Sequence, residues 1–528
     1  MTEAAPEEAV SATAGAGRST AIFAAWTAVS RVAGLIREIA AAALYGTKGP
    51  IAAFVVAFQV PNLLRSLVAD AALSAAFVPI FTELDEQGRK EEAGRLAGAF
   101  FGLITLVLGL ISLLAVVTAP WVMPLFAPGL SPALQDDLVR LSQIMFPIVV
   151  LLGLTGLVMG ILQANNQFTP IAFAPVLWNV VIIIGLVGVT PLVPSDQRIY
   201  VYAVGILLGT VVQFVYLLPF LRGKGPFPLS IGRHNPHVRR VLVLMIPVTI
   251  GLGLINFTLV INTYFAARVS DDSVRAIDAA FRLYILPQGI FSVAVSTVLF
   301  PAISRLAARG DVPGMRRAIS DGTRLIFFLL IPATVFLALL AEPVTQLVFE
   351  YGQFDAAATS LTSTALLFFT VGLVFNGASL LLIRAFFSLK QPWVPTKVAV
   401  LTLAVNIVLD LVLSQLMGTG GIPLATSIAS FVGFVVLAYL LEQELGGLER
   451  EWLLDGFVRT AIAAVWLGAL SWATWDLIDQ AIGHESVFAR VTAVGAAMIA
   501  GVVAYLTAAQ GMSLPEVGMM ARVARSLR

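Results

Sequence analysis

The sequence predicts an all-α polytopic membrane protein of about fourteen transmembrane helices, with two parallel six-helix lobes around a central cavity and two further C-terminal helices. Three observations carry this prediction. Hydrophobic residues make up 59% of the 528 and charged residues 12%, about half the charged share of a soluble domain. Apolar runs of about twenty residues, long enough to cross a bilayer core, recur along the whole chain. The polar breaks between them alternate between basic and acidic.

Residues 1–17 are small, polar and acidic, unlike the basic start of a secretory signal. They read as a disordered cytoplasmic tail, and the first helix is expected to stay in the mature protein. That helix falls near 19–45. The second, near 51–82, is expected to be interrupted at Pro61, because proline lacks the N–H that closes a helical turn. Helices near 94–119, 138–163, 170–190 and 199–221 complete a first lobe, 18–222. A second lobe, 223–445, holds helices near 238–268, 274–305, 317–341, 357–388, 395–416 and 422–442. The last two helices, near 454–478 and 487–509, occupy 446–510, and 511–528 is a second tail.

Charge sets the expected orientation. Breaks after even-numbered helices hold Arg89, Lys90 and Arg95, then Arg222, Lys224, Arg239 and Arg240, then Arg305, Arg309, Arg316 and Arg317. Breaks after odd-numbered helices hold Asp136 and Asp137, Asp271 and Asp272, and Glu342, Glu350 and Asp355. By the positive-inside rule both termini are cytoplasmic. A weak internal repeat supports two lobes. AFVVAFQVP (53–61) with SAAFVP (74–79) parallels AFRLYILP (280–287) with STVLFP (296–301). GILQANNQFTP (160–170), leading to Asn179, parallels LIRAFFSLKQPWVP (382–395), leading to Asn406. The offset is about 220 residues, or six helices, and an even number preserves orientation.

Several function classes lose their support. There are no cysteines, so disulfides and thiolate metal sites are excluded. His234, His237 and His484 fall in expected loops, where a solvated basic loop explains the first two better than a metal pair. The net charge of +1 gives no reason to expect a nucleic-acid partner. No phosphate-binding glycine loop, HExxH or nucleophile elbow is present, so the chain reads as a transporter and not an enzyme. A membrane glycosyltransferase would need a catalytic acid in a large external loop, and the expected loops are short. A drug antiporter for cations would show buried acids.

The informative residues are intramembrane arginines. Arg31 and Arg37 lie in the first helix, Arg65 in the second and Arg282 at the matching place in the second lobe. Their summed insertion cost is on the order of 10 kcal/mol, which favours a shared water-filled cavity. Snorkelling to an interface is the competing account, above all for Arg37 and Arg384. Arginine forks suit phosphate oxygens, so a cationic cavity implies an anionic substrate. Glu38 and Asp70 are the candidate buried partners. Ser30, Arg31, Glu38, Asn62 and Asp70 make up the expected support of the cavity. Asn406 and Asp410, four apart, share a helix face. They suggest a small-cation or proton site, with pairing to a neighbouring helix or placement near the outer interface as alternatives.

The same residues carry a family resemblance. SRVAGLIRE (30–38) and AFVVAFQVPNLLRSLVADAALSAAFVPIF (53–81) resemble the signature of the MurJ (MviN) lipid II flippases, within the multidrug/oligosaccharidyl-lipid/polysaccharide exporter superfamily. The similarity continues through FPIVVLLGLTGLVMGILQANNQFTPIAFAPVLWN (146–179), FRLYILPQGIFSVAVSTVLFPAIS (281–304), LVFEYGQF (347–354) and IRAFFSLKQPWVPTK (383–397). It implies a lipid II flippase for peptidoglycan synthesis in the bacterial cytoplasmic membrane, working by alternating access. A flippase for another undecaprenyl-linked oligosaccharide, or a multidrug antiporter of the superfamily, is the alternative.

By resemblance, Arg37, Arg65 and Arg282 hold the substrate diphosphate, and Ser30 and Arg31 match the first-helix motif. Asn406, Asp410, Ile422 and Thr426 match a sodium site, with Asn262 where the family can carry an acid. The last two helices would form a groove for the lipid tail. The implied partners are lipid II, membrane lipids and the cell-wall synthesis machinery, with the chain acting as a monomer. No cofactor is implied; Na⁺ or H⁺ and the membrane potential would supply coupling. The chain departs from the family pattern at Ala52, Gln59, Phe281 and Ile285, where charged residues are common in the family.

Overall fold

A computed structural model of the chain describes the backbone of residues 5–68, 71–223, 227–228, 230–232 and 235–518. It describes the side chains of these residues except 5–24, 65–68, 71–76, 244, 246–248, 250–252 and 254–255. Every regular element among the described residues is helical. Ten stretches of them are long and apolar enough to cross a membrane, so the chain is a polytopic membrane protein. It divides into two compact units, Met1–Val260 and Ile261–Arg528.

The first unit is built from α1 (Ala5–Tyr45), α2 (Pro50–Val68), α3 (Ala71–Glu86), α4 (Lys90–Phe126), α5 (Pro132–Met145), α6 (Ile148–Ala164), α7 (Phe168–Ile184), α8 (Arg198–Leu217) and the start of α9 (Pro236–Val269). Helix α1 begins at Ala5, so it takes in most of the segment read as a tail. The break expected at Pro61 is absent. Pro61 lies buried inside α2, where neighbouring helices sustain a segment that has lost one hydrogen bond. The expected fourth helix is instead divided, into α5 and α6, at Phe146 and Pro147.

Large rings and small residues together fix this unit's packing. Phe77 stacks on Phe81 at 5.4 Å and meets Phe100 edge-on at 5.5 Å, joining α3 to α4. Tyr202 of α8 stacks on Phe54 of α2 at 4.1 Å. Gly153 lets α6 lie against α4, since a Cβ there would sit 2.5 Å from Leu108 Cδ1.

The second unit continues with α10 (Asp271–Pro287), α11 (Val293–Arg309), α12 (Val312–Leu339), α13 (Ala341–Phe349), α14 (Ala356–Ser388), α15 (Trp393–Met417), α16 (Gly421–Leu445), α17 (Arg450–Ile482) and α18 (Val487–Gly511). A π-helical turn, Gln288–Ser292, joins α10 to α11 just after Pro287. Helices α14 and α16 meet at Gly372, whose N–H donates to Ser427 Oγ at 3.0 Å. The Ser427 hydroxyl donates in turn to the Phe368 carbonyl at 2.6 Å. A Cβ on Gly372 would lie 2.7 Å from Ser427 Cα, so this close approach requires glycine.

The C-terminal pair α17–α18 is fastened to the rest of its unit by polar groups. Ser471 donates to the Ala497 carbonyl at 2.9 Å, and Tyr505 to the Phe328 carbonyl at 2.6 Å. Arg324 of α12 is 1% exposed and pairs with Glu516, beyond α18, at 2.5 Å. It also donates to the Trp452 carbonyl at 2.8 Å and lies 3.7 Å over the Trp452 ring. Arg490 of α18 pairs with Glu350 at 3.0 Å and donates to the Gln346 and Glu350 carbonyls.

Removing one partner of such a buried pair leaves the other charge uncompensated, at about 3–5 kcal/mol. Arg324→Leu is expected to lower unfolding stability by about that amount, read as a large fall in the melting temperature of the purified protein in micelles. A melting temperature equal to wild type would contradict the clamp.

Candidate functional site

In the first unit the polar residues converge on Arg37. Arg37 is 9% exposed, so its charge is held within the protein and does not snorkel to an interface. It pairs with Glu38 at 2.6 Å and donates to Asn179 Oδ1 at 3.0 Å. It also lies 4.6 Å over the Trp178 ring, a favourable place for a desolvated cation. Asn179 Nδ2 donates to the Pro175 carbonyl at 3.0 Å and the Ser30 carbonyl at 3.4 Å. The Trp178 indole N–H donates to Thr210 Oγ1 at 3.1 Å. Helix α7 thus supplies two adjacent side chains, one bonding Arg37 in its plane and one stacking on its face.

Of the other residues expected to support the cavity, Ser30 reaches the Arg37 cluster through its carbonyl, which accepts from Asn179. Ser30 and Asn62 are half-buried, and Arg31 is exposed. The Arg65 side chain and the whole of Asp70 lie outside the described residues. Ala52 is fully buried, so one position where the family tends to carry charge is here packed as core.

In the second unit Arg282 lies on α10 beside a carboxylate that sequence reasoning missed. Asp278 accepts from Arg282 Nε at 3.1 Å and from its Nη2 at 3.3 Å. The same carboxylate accepts from Arg275 Nη1 at 2.7 Å. The three residues stand at i, i+3 and i+7 on one helix face, which is the signal that could have revealed them. The two positions where the resemblance led one to expect acids are apolar. Phe281 packs against Tyr284 and Phe369, each with ring centroids 5.7 Å away, and Ile285 is exposed. The counter-charge to Arg282 stands one turn earlier on α10, at Asp278.

A second cluster in this unit joins α9, α15 and α16. Thr426 Oγ1 accepts from Asn262 Nδ2 at 2.9 Å and from Asn406 Nδ2 at 3.4 Å. Thr426 donates to the Ile422 carbonyl at 3.2 Å. Asp410, one turn beyond Asn406 on α15, is fully buried. Four of the five residues expected here therefore meet directly, and Asp410 shares their burial. The cluster offers amide, hydroxyl and carbonyl oxygens, and Asp410 adds a carboxylate one helical turn from Asn406; oxygen donors of these kinds suit a hard monovalent cation. Among the described residues no group of three or more His, Cys, Asp or Glu could hold a metal ion. His237 faces Glu92 at 3.5 Å.

The family described as Lipid II flippase MurJ matches residues 41–492. A lipid II flippase MurJ from Burkholderia cenocepacia is 33% identical over 420 residues, covering 78% of this chain and 81% of that protein. A probable lipid II flippase MurJ from Bdellovibrio bacteriovorus is 30% identical over 515 residues, covering 96% of each. Among solved structures, a lipid II flippase MurJ in an inward closed conformation shares the fold, with a TM-score of 0.78 and 24% identity over 93% of this chain and 98% of that one. An inward-facing multidrug resistance transporter of the MATE family, in the MOP superfamily, has a TM-score of 0.68 at 15% identity over 79% of this chain and 94% of its own.

Asn179→Ala removes the amide that holds Arg37 in plane and leaves a buried guanidinium N–H unmatched. The expected loss is about 1–3 kcal/mol of unfolding stability, measured by thermal or denaturant unfolding in micelles. An unchanged midpoint would contradict this account of Arg37.

Proposed function

The chain belongs to the lipid II flippase MurJ family, and from that premise we propose how its own residues carry the substrate. It is a transporter that moves the lipid-linked peptidoglycan precursor across the membrane, here from the cytoplasmic to the outer leaflet. Arg37 of the first unit and Arg282 of the second, joined by Arg65, bind the substrate diphosphate. The support for this reading is that Arg37 and Arg282 are each held in a defined orientation by a carboxylate. Arg37 is pinned by Glu38 and Asn179, and Arg282 by both carboxylate oxygens of Asp278. A pre-oriented guanidinium loses less freedom when it captures a second anion.

The polyprenyl tail stays in lipid along α17–α18, and the headgroup crosses by alternating access. Basic breaks on one side of the expected topology support cytoplasmic termini. Each negative charge leaving an inside-negative cell gains up to about 2.3 kcal/mol per 100 mV. A diphosphate carries about two such charges, so the potential can drive export without nucleotide hydrolysis. Action as a monomer, and contact with the cell-wall synthesis machinery, are part of the same reading.

The cluster on α9, α15 and α16 fits a sodium ion by its oxygen donors. Asp410, Asn406, Asn262, Thr426 and the Ile422 carbonyl would hold it, and it would supply the positive charge that offsets the buried Asp410 carboxylate. Linkage then requires sodium to stabilise the fold, by about 2.7 kcal/mol at a hundred times its dissociation constant. The purified protein is expected to melt higher in sodium than in choline chloride, and Asp410→Asn to abolish the difference. Equal melting of wild type in both salts would remove sodium from the account.

Growth tests the transport reading. A bacterium depleted of its own lipid II flippase is expected to grow on this chain and to fail on equally expressed Arg37→Ala, Arg65→Ala or Arg282→Ala. Full rescue by the variants would refute the assignment of the arginines.

A further inference from the structure

We propose that Arg275 is a reserve partner for Asp278, which lets Arg282 exchange its carboxylate for the substrate diphosphate without leaving a buried anion bare. The inference rests on the reading that Arg282 binds the diphosphate, and it adds two positioning residues to that site. Its basis is a gradient along one face of α10. The Arg275 side chain is 2% exposed, Asp278 14% and Arg282 35%. One carboxylate oxygen, Asp278 Oδ2, accepts from both cations, at 2.7 Å from Arg275 and 3.1 Å from Arg282.

The inner bond is the shorter one and is shielded from water, so it is the less screened of the two. The outer bonds are longer and reach a guanidinium that is one third open. An arriving diphosphate therefore competes for Arg282 and not for Arg275. When Arg282 turns away, Asp278 keeps the Arg275 bond and stays paired. A carboxylate with only one partner would pay heavily to lose it and would hold Arg282 back. Two arginines and one carboxylate give the triad one net positive charge. A merely structural pair on one helix face would contribute to stability and leave substrate affinity unchanged.

The experiment titrates the purified full-length chain in micelles with undecaprenyl diphosphate, alongside melting temperatures. Arg275→Gln is expected to weaken binding about tenfold, the scale of one charge-assisted hydrogen bond. Asp278→Asn is expected to tighten binding, because it frees Arg282. The double variant is expected to bind like Asp278→Asn alone, since Arg275 acts only through that carboxylate. Wild-type affinity in Arg275→Gln, or additive effects in the double variant, would overturn the proposal. Should Arg275→Gln not fold, Asp278→Asn decides by itself, and unchanged or weaker binding overturns the proposal. Arg282→Ala separates the two layers. If it binds undecaprenyl diphosphate as wild type does, the diphosphate reading fails. If it binds weakly while Arg275→Gln is normal, only the reserve-partner proposal fails.

Discussion

A guanidinium inside a membrane protein must be paired, and a flippase needs that pairing to yield to its substrate. This constraint organises both polar clusters around the arginines. A charge at mid-bilayer costs several kcal/mol, so Arg37 and Arg282 each have a carboxylate within salt-bridge distance. The two solutions differ. Arg37 is enclosed, with an acid, an amide and an indole ring around it. Arg282 is one third open and shares its acid with a buried neighbour. Positive charge is thus kept in the membrane at a tolerable cost, with one cation more exposed than the other.

The departures from the family pattern make sense in these terms. Ala52 and Phe281 occupy packed positions: Ala52 is fully buried and Phe281 sits in an aromatic cluster with Tyr284 and Phe369. A carboxylate at either would have to displace that packing. Asp278 supplies the charge from a position one turn away. Farther along, the Arg324–Glu516 and Arg490–Glu350 pairs fasten α17–α18 to α12 and α13. The surface proposed for the lipid tail is then carried rigidly with its own unit.

Much of this was legible in the sequence, and the gaps have physical causes. Hydropathy and loop charge alone gave the polytopic helical class, because a bilayer admits so few backbone solutions. Arg37 with Glu38, and Asn406 with Asp410, were readable because each pair is local in the chain. Asn179 was visible only as a landmark of the internal repeat; its partner Arg37 lies 142 residues away, and no local pattern links them. Asp278 was missed although its spacing to Arg275 and Arg282 is helical, because charges near a helix start read as solvated ends. Pro61 read as a break by intrinsic preference, and tertiary packing overrode it. Glu516 lay in a stretch read as a tail, yet it is 2% exposed because Arg324 needs it.

The central claim is that arginines held by yielding carboxylates carry the diphosphate across the membrane. The most direct measurement is the exposure of lipid II at the outer leaflet in cells where this chain is the sole lipid II flippase. Exposure would be read by cleavage with a membrane-impermeant hydrolase. With wild type, lipid II is expected to be cleaved. With Arg37→Ala or Arg282→Ala at equal membrane abundance, it is expected to remain protected. Equal cleavage in all three strains would contradict the account.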